Sequence, residues 1–165
     1  MSLTLVDHPA DRPEWIRELL ERIAERLRDG RAELLSRVEH ASDADLVAGS
    51  DENWGIGQIA IHLLVSERGM TTIALRLARG EPPGRTGQPR PAAGAVSRDG
   101  IAALAAKAET TLDRLRIDFP PEPDVETRAP TPYLGPFNCF GWLVLAALHY
   151  DAHLVAIERG AKSAL

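Results

Sequence analysis

His149 and His153 stand four residues apart in the run His149-Tyr-Asp-Ala-His153. On a helix, residues i and i+4 share a face one turn apart. Two imidazoles so placed can grip one metal ion at about 2.0–2.1 Å each. A third histidine, His62, lies beside the apolar positions Ile59 and Leu63 of an earlier helical stripe, so its ring faces or borders the core. Three imidazoles and an open position make a catalytic rather than a closed structural site. Such a set suits zinc, nickel or iron and does not choose between them.

The run differs from the zinc-protease signature His-Glu-x-x-His, because Tyr150 occupies the place of the catalytic Glu. Asp151 lies about 200° around the helix from His149 and points away from the pair. His8, in the N-terminal tail, and His40, at the end of the first long helix, read as solvated.

The elements that must bring the three histidines together are marked out by proline. Ten of the twelve prolines fall in 82–91 and 120–136, and the proline-free stretches are the candidate helices. The first spans about 12–39, with Asp11 and Glu14 at capping-box spacing and a stripe of Ile16, Leu19, Leu20, Ile23, Leu27, Leu34 and Val38. Gly30 could bend it. A short turn is expected at Asp43–Leu46. The second helix spans about 54–79, with Asn53 as N-cap. The third runs from the Ser97 cap to about Ile117, and the fourth from about 137 to 159, closed by Gly160. Some extended structure is expected at Val125–Arg128. The first half of the fourth helix is apolar nearly all round, which implies deep burial or a subunit contact.

Four amphipathic helices without a strand pattern predict one all-α domain over 1–165, a four-helix bundle with long connections between helices two and three and between three and four. His62 lies about 12 Å into the second helix, and His153 about 10 Å from the end of the fourth, at 1.5 Å per residue. If those two helices are adjacent and antiparallel, His62 and His153 sit at similar depth, with His149 one turn deeper.

Composition narrows the function. The 165 residues carry a formal net charge of −5 and no basic stripe, which disfavours nucleic-acid binding. One cysteine, Cys139, permits no intrachain disulfide and reads as a buried structural residue. No signal-peptide pattern opens the chain, and the longest apolar run is about half a membrane span. A cytoplasmic protein without membrane contact is the expectation.

Trp54 and, after seven intervening residues, His62-Leu63, then Tyr133-Leu134-Gly135-Pro136 and the helix His149-x3-His153-Leu154, resemble the DinB/YfiT-like superfamily over residues 12–160. The resemblance implies an up-down-down-up bundle in which His62, His149 and His153 bind a divalent ion. It also implies a homodimer and, from characterised relatives, thiol-dependent transferase or isomerase chemistry with mycothiol, bacillithiol or glutathione. The mycothiol-dependent maleylpyruvate isomerases of that family tend to have Glu where this chain has His149, so the chain departs from them there.

Around the three histidines no general base stands out. Gln58 and Ser66, one turn either side of His62, are pocket candidates or interhelical polar contacts. Glu67 reads as a solvated surface carboxylate and Trp54 as a packing anchor. Arg68 and Arg76 read as surface arginines able to meet an anionic cofactor tail. Three functions compete: a metal-dependent enzyme acting on a small molecule, as a thiol S-transferase or a hydrolase; a non-catalytic metal-binding stress or interaction protein; and a dimerisation bundle with core histidines.

Overall fold

The computed structural model describes residues 12–158. His8, Asp11 and Gly160, with the cap and stop expected there, lie outside the described residues. Four long helices form: α1 (Glu14–His40), α3 (Ile56–Ala78), α4 (Arg98–Asp118) and α5 (Cys139–Glu158). The short α2 (Asp43–Val47) stands where a helical turn was expected, and its Ser42 cap accepts from the Asp45 amide. A 3₁₀ turn at Ala93–Ala95 precedes α4, which opens on the expected Ser97 cap.

Side-chain contacts fix the helix directions. Arg12, before α1, donates to the carbonyls of Arg116, Ile117 and Phe119 at the end of α4. At the other end, Arg98 donates to Val38 O (2.7 Å) and Ala41 O (2.6 Å) beyond α1. α1 and α4 are therefore antiparallel, and each arginine satisfies carbonyls that a helix end leaves without partners. Arg79 reaches Asp118 O across the ends of α3 and α4, while Val96 packs on Gly57 near their starts, so these two run parallel. Trp15 meets Phe140, Arg26 meets Asp151 and Arg37 meets Leu154 O, so α5 runs with α1. The order is up-down-down-up, and α3 and α5 are antiparallel neighbours.

The core is the joined apolar stripes, among them Leu20, Leu27 and Leu34 of α1, Leu63 and Leu77 of α3, Leu112 of α4 and Leu143 of α5. α1 runs unbroken through Gly30, whose small size lets the helices approach, because a Cβ there would lie 2.7 Å from Cβ and Cγ of Tyr150. Two local expectations change. The second long helix is entered at Gly55, not Asn53: the Gln58 side chain accepts from the Gly55 amide (3.1 Å), and a Cβ on Gly55 would collide with Ala48 O. Extended structure falls at β1 (Ala129–Thr131), paired antiparallel with β2 (Gly135–Phe137), rather than at 125–128. Asp124 explains the displacement, since its carboxylate accepts from the amides of Glu126 and Thr127 and commits those residues to a turn.

α5 is buried through Cys139, Trp142, Leu143, Ala146 and Ala147, while Val144, Leu148 and Val155 are exposed. Among the described residues no helix is long and apolar enough to cross a membrane.

Candidate metal centre

α3 and α5 bring the three sequence-predicted histidines together. His62 Nε2 lies 3.3 Å from His149 Nε2, which lies 3.1 Å from His153 Nε2. The three donor nitrogens fall within 4.8 Å of one another. Two imidazole nitrogens bound to one tetrahedral ion at 2.0–2.1 Å stand about 3.3 Å apart, so both observed separations are close to those of ligands to a common ion.

The hydrogen-bond partners show which nitrogens are available. His62 Nδ1 is 2.8 Å from Pro89 O. A carbonyl only accepts, so Nδ1 carries the proton and Nε2 presents a bare lone pair. This is the outer-shell partner that fixes tautomer and ring orientation in histidine metal sites. His149 Nε2 faces nitrogens on both sides, and a single proton there can serve only one of them. A shared cation serves all three.

Burial settles the protonation. Desolvation lowers all three imidazoles: His149 to about 3 and His153 to about 4, with neighbouring rings adding to both, and His62 in direction against the raising effect of Pro89 O. At neutral pH they are uncharged donors, the form a metal requires. His62 and His153 are buried and His149 is half-buried.

Stability should follow. Without metal, the unfolded chain takes up protons on these residues as pH drops below about 6.5, whereas in the folded chain His153 resists until near pH 4 and His149 until near pH 3, with His62 also lowered. The imidazole contribution is complete above pH 6.5 and is lost as pH falls toward the folded-state values. Glu67, whose carboxyl is raised by burial, acts in the opposite sense but is one group against three. Urea denaturation of metal-free protein should give a lower midpoint at pH 5 than at pH 7.5. A flat or rising profile contradicts buried neutral rings.

Other candidates separate clearly. Trp54 packs with its ring centroid 5.0 Å from that of His62, as the expected anchor. The Gln58 amide is committed to backbone: besides capping Gly55, its Nε2 donates to Ser50 O and Pro91 O, both at 3.1 Å. It thereby ties down the same connection that supplies Pro89. The Ser66 hydroxyl is buried and unpartnered among the described residues. Arg76 donates to Pro82 O (2.6 Å), and Arg68 is half-buried. Cys139 is buried, with its thiol pushed up to about 11, so it holds its proton. Asp151 pairs with Arg26 at the surface, and His40 is exposed.

Glu67 overturns its expectation. It is 1% exposed rather than solvated, accepts from Tyr150 Oη (2.6 Å) and pairs with Arg31 (3.2 Å). The sequence did carry a signal: position 67 lies one turn beyond Leu63 on the apolar stripe. Arg31 likewise interrupts the α1 stripe between Leu27 and Leu34.

The sequence profile of the DinB superfamily matches residues 26–157. The chain belongs to the DinB superfamily. All three histidines fall inside the matched range. Among solved structures, this DinB chain is similar to TT2238, described as a four-helix bundle protein, with 26% identity, a TM-score of 0.64, and coverage of 85% of this chain and 98% of that one. No curated protein matches this chain.

Proposed function

We propose that this DinB protein is a divalent-metal-dependent enzyme whose ion is held by His62, His149 and His153. The observation that carries the reading is the pair of Nε2 separations, 3.3 and 3.1 Å, between rings that burial keeps neutral. When bound, a divalent ion supplies Lewis acidity and lowers the pKa of a coordinated thiol or water. The protein's own part is to hold three uncharged donors, so that the positive charge of the site stays uncompensated and favours an anionic thiolate or hydroxide. His62 is kept in the required tautomer by Pro89 O. Three protein ligands leave a coordination position open, as a catalytic site needs.

Among the described residues, the two carboxylates nearest the histidines along their helices are not free to act as a strong base. Glu67 is engaged with Arg31 and Tyr150, and Asp151 with Arg26. A nucleophile that loses its proton on coordination needs no such base, and a low-molecular-weight thiol, far more acidic than water before it binds, does so more readily. Cobalt substitution tests the choice. Adding glutathione or bacillithiol to the cobalt protein should produce a thiolate-to-cobalt charge-transfer band in the near ultraviolet. Cobalt uptake with a spectrum unmoved by thiols removes the transferase reading and leaves the hydrolase or the non-catalytic binder.

A further inference from the structure

One polar layer, buried at Tyr150, Glu67 and Arg31 and partly exposed at Glu109 and Arg28, joins all four long helices and takes no part in holding a metal. Tyr150, 1% exposed, projects from α5 with its ring against Gly30 of α1. Its hydroxyl donates to Glu67 Oε2 of α3 at 2.6 Å. Arg31 of α1 donates to Glu67 Oε1 at 3.2 Å and also pairs with Glu109 of α4, which accepts from Arg28 at 2.5 Å.

We propose that the Tyr150–Glu67 hydrogen bond, braced by Arg31, sets the register of α5 on α3 and so positions the three histidines for one ion. Tyr150 directly follows His149, and Glu67 lies five residues, about 7.5 Å of helix rise, beyond His62. The bond therefore joins the ligand-bearing helices just beside the cluster. Apolar side chains tolerate small slides and rotations between helices, because dispersion contacts are non-directional. A hydrogen bond between buried groups does not, since a displaced hydroxyl or carboxylate would be left without a partner. Metal ligands need placement within a few tenths of an ångström. Tyr150 and Glu67 are positioning residues here, acting through the helices and not on the ion.

The inference rests on the metal reading, and zinc affinity measured by competition with a chromophoric chelator separates the two. Tyr150→Phe keeps the ring over Gly30 and removes only the hydroxyl. It should keep its helical circular dichroism, bind zinc roughly tenfold more weakly, the scale of lost outer-shell support, and show an altered cobalt absorption spectrum. Glu67→Gln keeps an acceptor for Tyr150 and should stay closer to wild type than Tyr150→Phe does. Ile101→Val, in the core at the start of α4, serves as a control that loosens the fold away from the layer and should leave affinity unchanged. Wild-type affinity in Tyr150→Phe overturns the positioning role alone, as does an equal loss in Ile101→Val. Wild-type protein that takes up no zinc overturns the metal reading, and this inference with it.

Discussion

Arg31→Met should destabilise the protein by about 3–5 kcal/mol at pH 7.5, the cost of removing one partner from a buried ion pair. Arg31 is 5% exposed and Glu67 is 1% exposed, so neither charge is compensated by water. Methionine nearly preserves the volume of the stem, which confines the loss to electrostatics. Glu109 retains Arg28, so the orphaned charge is Glu67. The loss should shrink as pH falls. Burial already raises the Glu67 carboxyl and Arg31 opposes that rise, so the variant raises it further. A group with a raised folded-state pKa contributes its stability at low pH and loses it as pH climbs through that value. The defect should therefore be greatest above neutrality and smallest near pH 5. Arg31→Met with Glu67→Gln removes both charges, keeps an acceptor for Tyr150, and should recover most of the loss. A pH-independent defect, or a double variant no better than the single, contradicts a charged Arg31–Glu67 pair.

His149→Ala should weaken zinc binding by more than about 100-fold, beyond the upper range for lost outer-shell support. His149 is the shared neighbour, with its Nε2 next to both other donors. Ligand binding stabilises by RT ln(1 + [L]/Kd), about 2.7 kcal/mol at 100 Kd. At that same zinc concentration the variant should gain no more than about 0.4 kcal/mol, because its Kd then equals or exceeds the free zinc. Thermal shifts with and without zinc read this directly. Equal shifts in both proteins would place the zinc elsewhere.

Much of the fold was legible because proline and helical periodicity act locally. The four long helices begin and end within about two residues of the expected positions for the described boundaries. The histidine cluster was legible because i,i+4 spacing fixes two donors on one face, and depth along an antiparallel helix fixes the third. The Arg31–Glu67–Tyr150 layer was not. A charged residue in a stripe reads as a surface interruption until its partner on another helix is known, and these partners lie 36 and 83 residues apart. The role of Gly30 was hidden for the same reason, since its small size answers to Tyr150 on α5. The Pro89 carbonyl could not be foreseen at all. A backbone acceptor leaves no side-chain pattern, and only the path of the 81–97 connection brings it to His62.

Elemental analysis of protein prepared without a nickel column, set beside His153→Ala made the same way, addresses the histidine centre most directly. The wild-type chain should carry a stoichiometric divalent transition ion, or take one up when offered zinc, nickel or iron, and the variant should be largely depleted. A wild-type chain that neither contains nor acquires such an ion, or a variant that retains it in full, contradicts the account.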